Sequence, residues 1–311
     1  YVVEHNGAAF VRDRVTRIDA AQRSVTLGSG QTLEYDVLSC NAGSYIPFGN
    51  IHGDTSNVFT VKPIERLQEA QRAVISLCAA RTRPHIAVVG GGPAALEIAG
   101  NVRRLAKLRG WHAPQITLFA GRQLLSRLPE KIRNMARDSF ARQDIAIKED
   151  GYVEEIRNGV IMQGGTSHHP DLVFLATGVK PSRLFADSGL TTGPTGGMLV
   201  NERLQSVDFP EIFGGGDCIS LEGSPLDRVG VYAVRQNRVL CRNLLAFLDG
   251  RPTVRFDPGG AYLQILNLGD GTGLFRRKGI AWNGKLAFFL KNRLDKGFMK
   301  KFQVSGETAW D

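Results

Sequence analysis

The sequence predicts an α/β fold made of two related units, and three observations carry that prediction. An apolar run too short for a helix, His85-Ile86-Ala87-Val88-Val89, feeds a glycine turn and then an alanine-rich amphipathic segment. A set of short strands occurs twice at matched spacing. The 311 residues are 42% hydrophobic and 22% charged, which is ordinary for a globular chain long enough to hold two domains.

The first observation reads as strand, phosphate loop and helix. Gly90 suits the tight turn, Gly92 lets a pyrophosphate approach the backbone, and Ala95 stands for the third glycine, where helix meets strand. The helix N-terminus adds free N–H groups and the positive end of its dipole. Ile98, Ala99, Val102, Leu105 and Ala106 share one face, and Arg103, Arg104, Lys107 and Arg109 lie towards the C-terminal end, where cations are favoured. The plainer alternative is a structural turn of an α/β protein.

In chain order, Phe10 to Ile18, Val25 to Leu27 and Thr32 to Tyr35 read as antiparallel strands with a turn at Gly28-Ser29-Gly30. Asp36 to Gly43 then reads as a buried strand ending on glycine. The pattern returns: Val153 to Ile156 echoes Val15 to Ile18, Val160 to Asp171 spans the same interval as Val25 to Asp36, and Asp171 to Gly178 matches Asp36 to Gly43. Matched spacing favours duplication over chance. Gly90 lies 63 residues before Val153, so the equivalent loop of the first copy is expected upstream of Tyr1.

Between the copies, Glu65 to Ala80 is helical and Arg81-Thr82-Arg83-Pro84 marks a boundary. After the second copy the chain reaches Ile212-Phe213-Gly214-Gly215-Gly216-Asp217, where a strand-end aspartate is placed to accept a ligand hydroxyl or, alternatively, to cap a helix. Val229 to Leu248 reads as a long helix. From Ala261 the tail reads as strands followed by the amphipathic segment Lys285 to Phe302, in which Leu286, Phe289, Leu290, Leu294, Phe298 and Phe302 recur among cations. Such a segment either packs on its own domain or lies on an anionic membrane surface.

No apolar run reaches the roughly 18 residues of a membrane span. Four cysteines, at 40, 78, 218 and 241, form no CxxC pair and no metal-ligand spacing, so no metal site is expected and a reducing cytoplasm is the simplest location. The net charge of +9 favours anionic partners, but no basic and aromatic module points to nucleic acid.

Gly90-x-Gly92-x-x-Ala95-x-Glu97, the strand-end glycines Gly43 and Gly178, and Gly216-Asp217, in that arrangement, resemble the two-dinucleotide flavoprotein oxidoreductases. Within them the chain looks most like the type II NADH dehydrogenase-like proteins, in particular the group sometimes fused to selenide, water dikinase. Lys62-Pro63-Ile64, Gly230 to Gln236 and Lys291-x-x-x-Asp295-x-x-Phe298-Met299 carry that closer likeness. The resemblance implies two Rossmann-like domains binding FAD and NAD(P)H, the nicotinamide domain (62–183) inserted in the flavin domain (1–61 and 184–254). The first FAD βαβ unit would then be missing from this chain, and 255–311 would form a small C-terminal α+β interface or membrane-surface region.

By the same resemblance, Gly90, Gly92 and Ala95 would hold the nicotinamide dinucleotide's pyrophosphate, and Gly178 would match Gly43 at the end of the equivalent strand. Asp217 would bind the FAD ribityl chain, Gly43 would border the flavin diphosphate and Val15 would offer backbone to adenine. Glu97 would lie near the reacting rings, or else be a first-turn acid favoured by the helix dipole. Tyr232 would cover the flavin or belong to the core. After Ile116-Thr117-Leu118-Phe119 the acid expected on the adenosine ribose is replaced by Ala120-Gly121, with Arg122 next, so NADPH is expected to be accepted at least as well as NADH. No CxxxxC pair exists, so neither disulfide reduction nor sulfide oxidation is favoured.

The expected function is that of an FAD-dependent NAD(P)H dehydrogenase delivering electrons to a quinone-like or other acceptor, cytoplasmic or peripheral to the inner face of the membrane. This chain alone is expected to carry no FAD and to be inactive. The rival is a non-catalytic nucleotide-binding or partner module linked to selenium metabolism, associated with selenide, water dikinase. A homodimer also stays open.

Overall fold

The computed structural model describes residues 7–47 and 49–302, with side chains described as far as residue 300. Among these residues the α-helices are, in chain order, α1 (Ile64–Ala80), α2 (Pro93–Leu108), α3 (Glu130–Arg142), α4 (Leu184–Asp187), α5 (Gly230–Leu248) and α6 (Lys285–Phe302). The chain forms two compact units. One comprises residues 7–45 with Val179–Gly260, the other Ile46–Gly178 with residues 261–302. These boundaries depart from the sequence-based ones. Val58–Thr60 pairs in parallel with Leu172–Leu175 and so belongs with the second unit. The segment after residue 260 joins that unit too rather than standing as a third region.

The second unit is built on a five-stranded parallel sheet in the order Ile145–Lys148, Gln115–Phe119, His85–Val89, Leu172–Leu175, Val58–Thr60. Its central strands are continuous apolar runs because helices cover parallel sheets on both faces. Ile86, Ala87, Val88 and Val173 are fully buried. Helix α2 turns Ala95, Leu96, Ala99, Gly100, Val102 and Ala106 inward, close to the predicted stripe. The second meander, Glu155–Arg157, Val160–Gln163 and Thr166–His168, pairs with Ile51–His52 to make a four-stranded sheet. The tail supplies a three-stranded antiparallel sheet, Gln264–Asn267, Gly273–Arg277 and Ile280–Gly284, followed by α6.

In the first unit the predicted meander is present as Val15–Asp19, Ser24–Leu27 and Thr32–Glu34. Phe10 to Arg14, expected to extend its first strand, is irregular, and Phe10 is 73% exposed. Leu38–Cys40 pairs in parallel with Ile212–Gly214, and Met198–Val200 with Ile219–Leu221. Phe185, Met198, Val200, Ile212, Phe213 and Cys218 make a fully buried core. Each large apolar side chain there contributes about 1.5–3 kcal/mol of burial. Helix α5 is fixed to the unit by buried Asn243, which donates to the carbonyls of Arg203 and Val254 and accepts the Val254 N–H, each at 2.8 Å.

Candidate functional site

The glycine loop of the second unit separates its three glycines by physical role. Gly90 has φ +145°, and a Cβ there would fall 2.2 Å from the Ala176 carbonyl oxygen. Gly91, which sequence reasoning left without a role, is as constrained: its Cβ would lie 2.3 Å from the Ala120 carbonyl oxygen. Gly92 is the N-cap of α2, and a Cβ on it would meet nothing within 4 Å. Two glycines therefore let neighbouring strands close on the loop, while the third keeps the space before the helix open. Pro93 at the start of α2 has no N–H to leave unsatisfied. Ala95 is fully buried beneath the turn, as a small residue between helix and strand should be.

This loop lies between His85–Val89 and Leu172–Leu175, where the strand order of the sheet reverses. Ligands of open parallel sheets bind outside the carboxyl ends of the strands at such a point. Gly178, at φ +108° with open space where a Cβ would be, follows the second of these strands. The structure thus brings Gly90, Gly92, Ala95 and Gly178 to one end of one sheet.

Arg122 follows the next strand and Gly121 (φ +73°), and its guanidinium lies 5.9 Å from the centroid of the Tyr152 ring. Tyr152, 70% exposed and packed beside Gly121, was not anticipated from the sequence; its only local signal is an aromatic after Gly151. The pair forms an aromatic and cationic ledge. A carboxylate in this neighbourhood, Glu149, accepts the Leu124 N–H at 2.5 Å and pairs with Arg137 at 2.9 Å. Burial pushes the Glu149 carboxyl up, but the Arg137 hydrogen bonds and the Leu124 N–H outweigh it and hold the group below the usual range. It fastens the loop behind Arg122.

Glu97 is the fifth residue of α2, and the first turn holds no acid, which corrects the first-turn alternative. Its carboxylate accepts the Asn267 N–H at 2.8 Å and lies 3.7 Å from Lys291 Nζ. Burial pushes it above its usual range, against that N–H and the ammonium, both of which favour the charged form.

In the first unit, Asp217 sits in a short 3₁₀ turn after Ile212–Gly214 and accepts the Ser44 hydroxyl at 2.8 Å. Ser44 follows Gly43, whose φ is +64°, so Gly43 and Asp217 meet at one place. Gln236 of α5, 2% exposed, accepts the Gly216 N–H at 2.7 Å and secures the turn. Arg228 Nε donates to the Asp217 carbonyl at 3.1 Å. Sequence reasoning noted Gln236 only within a longer run and missed Ser44 and Arg228, which reach the turn from distant chain positions. Helix α5 starts at Gly230 with no side-chain cap, and the Tyr232 ring carries the Arg235 guanidinium 5.8 Å from its centroid. Val15 pairs with Leu27 in the meander beside an irregular step.

Burial pushes the Cys40 thiol up to about 12 and raises that of Cys218. Neither is poised as a thiolate, in keeping with the missing CxxxxC pair. Among the described residues no group of three or more His, Cys, Asp or Glu is arranged to hold a metal ion.

Residues 3–237 match the family model described as pyridine nucleotide-disulphide oxidoreductase. The large subunit of the NADH nitrite reductase of Escherichia coli is 30% identical over 227 residues, covering 70% of this chain; the chain spans a quarter of that relative's length. Ferroptosis suppressor protein 1 of Taeniopygia guttata is 24% identical over 321 residues, covering 97% of this chain and 80% of the relative. The structure of NDH2 from Plasmodium falciparum in complex with NADH superposes with a TM-score of 0.76 at 13% identity, covering 93% of this chain and 80% of that one. That likeness confirms the two-dinucleotide α/β fold.

Proposed function

For this chain, which belongs to the pyridine nucleotide-disulphide oxidoreductase family and is type II NADH dehydrogenase-like, we propose an FAD-dependent NAD(P)H dehydrogenase that passes electrons to a quinone-like or other acceptor. The observation that carries the reading is the open N-terminus of α2, with Gly92 leaving room before it and Gly90 and Gly91 closing the strands behind it. A dinucleotide pyrophosphate fits there, held by backbone N–H groups and the helix dipole.

When bound, the cofactors supply the hydride chemistry: nicotinamide C4 donates and flavin N5 accepts. The work of the chain is alignment and electrostatics. The loop orients the dinucleotide, and the ledge of Arg122 and Tyr152 receives its adenosine end. Asp217, its carboxylate oriented by Ser44, suits a ribityl hydroxyl, and Gly43 beside it suits the approach of a diphosphate. The N-terminus of α5 offers positive potential to the reduced isoalloxazine. The glycine loop of Gly90 to Gly92 has no counterpart among the described residues of the first unit. The 311-residue chain by itself is therefore proposed to bind NAD(P)H without retaining FAD; flavin absorbance in the purified chain after gel filtration contradicts that.

Arg122, with no acid at the strand end before it, supports acceptance of the 2′-phosphate of NADPH. In the 311-residue chain, Arg122→Ala is expected to lower the NADPH/NADH ratio of binding affinities about tenfold, the worth of one charge-assisted contact. An unchanged ratio removes Arg122 from the site.

The electron acceptor side draws on α6. Ala287 is buried while Leu286, Phe289, Leu294, Phe298 and Met299 are exposed beside Lys285, Arg293, Lys296 and Lys300. The side chains of Lys301 and Phe302 lie outside the described residues. No helix among the described residues is long and apolar enough to cross a membrane. The exposed face suits peripheral contact with an anionic bilayer. Co-sedimentation with anionic but not neutral vesicles is the expected result, and absence of binding to either removes the membrane reading.

A further inference from the structure

Arg122 is exposed, yet the chain on either side of it is fastened. Before it, the Ala120 N–H donates to the Lys148 carbonyl at 2.8 Å and the Gly151 N–H to that of Gly121 at 3.3 Å, so backbone alone joins 120–121 to 148–151. After it, the Leu124 N–H donates to Glu149 Oε1 at 2.5 Å. Arg137 of α3 holds both oxygens of that carboxylate, at 2.9 Å and 3.1 Å from one nitrogen. Two exposed residues, Arg122 and Gln123, therefore span two anchors, and only the second depends on a side chain. Beyond it the backbone is uncommon. Leu125, 2% exposed, has φ +50°, and its N–H donates to the Gly91 carbonyl at 2.6 Å. A leucine in the left-handed region is held there by its surroundings, a state that recurs at ligand clamps. The phosphate loop and the turn bearing Arg122 thus share one frame, which Glu149 closes.

We propose that Glu149 is a positioning residue for nucleotide selection: it holds the turn after Arg122 closed, so that the guanidinium stays at the adenosine end of the dinucleotide and favours a 2′-phosphate there. The proposal rests on the dinucleotide reading above and deepens it. The physical reason is entropic. An arginine on a loose turn must order its backbone as well as its side chain when it meets a phosphate, whereas on a closed turn it orders the side chain alone. The contacts to both oxygens from Arg137 fix the carboxylate in one orientation. NADH presents a hydroxyl where NADPH presents a phosphate, so loosening the turn weakens NADPH the more.

The test is a double-mutant cycle on the 311-residue chain, read as the ratio of NADPH to NADH affinity from the fluorescence of the dinucleotides. Glu149→Ala is expected to lower that ratio about fivefold, the order of the entropy of fixing one residue's backbone. The double variant with Arg122→Ala is expected to fall no further than Arg122→Ala alone, because Glu149 acts through Arg122. A merely structural role weakens both dinucleotides alike. A ratio unmoved in Glu149→Ala or in Arg122→Ala therefore overturns the proposal, and so do single effects that multiply in the double variant. Should Glu149→Ala lose its fold, Arg137→Met decides in its place: it leaves the acceptor of the Leu124 N–H but unties the carboxylate, and a lowered ratio supports the proposal while an unchanged one overturns it. Failure of the dinucleotide reading looks different, since wild type then binds neither NADH nor NADPH and the proposal falls with it.

Discussion

The two copies of the repeat share a device and differ in what surrounds it. Each is a three-stranded meander followed by a strand that leads to a glycine of positive φ, Gly43 at +64° and Gly178 at +108°. In the second copy, Leu172–Leu175 is buried at every residue between two parallel neighbours, and the Ala176 carbonyl presses on Gly90. In the first copy, Leu38–Cys40 pairs with Ile212–Gly214, and the Cys40 carbonyl accepts the Gly215 N–H and the Cys218 thiol. In one environment the strand end faces the glycine loop at the N-terminus of α2, in the other a carboxylate, Asp217, that accepts the Ser44 hydroxyl. A recurring local sequence therefore sets the turn, and the neighbouring strand sets what the turn can bind.

If the crowding at Gly90 is what separates the copies, Gly90→Ala is the most damaging single change. Its Cβ has backbone on the far side and a φ that L residues avoid, so a loss of about 3 kcal/mol is expected, together with NAD(P)H binding. Urea unfolding and quenching of dinucleotide fluorescence measure both. A loss under about 1 kcal/mol would mean that the strands can part without harm.

The first unit is probed by Gln236→Leu, which leaves the Gly216 N–H without its acceptor. About 2 kcal/mol is expected, read by chemical denaturation, and the turn carrying Asp217 should gain amide exchange. Intact protection there would show that the turn stands without α5.

For Glu149→Gln about 1–2 kcal/mol is expected, because the Arg137 pair and the Leu124 N–H then lose a charged partner. The sign in pH follows from the lowered value. The carboxylate contributes fully above the ordinary glutamate range, and its share is lost as pH falls through the lowered folded value. Wild type and variant should therefore converge in acid denaturation midpoints, and a gap that persists at low pH would assign the effect to packing.

A change no larger is expected from Gly43→Ala, about 1–2 kcal/mol of conformational strain with no clash, since nothing lies within 4 Å of a Cβ there. A cost equal to that of Gly90→Ala would erase the distinction between the copies.

By itself the sequence determined the local chemistry. The apolar run into Gly90, the α2 stripe, both meanders, the long helix after Val229 and the hairpin-plus-helix tail were legible because period, glycine and proline act over a few residues. Gly90, Gly92, Ala95 and Asp217 were legible for the same reason. Tertiary structure decided what depends on distant chain meeting: that Gly91 is required by the Ala120 carbonyl, that Tyr152 flanks Arg122, and that Gln236 and Ser44 hold the Asp217 turn. It also decided that Glu97 faces Asn267 and Lys291, 170 residues or more along the chain. Such contacts leave no periodic trace, because each is made by one side chain against a backbone that its own neighbourhood does not encode.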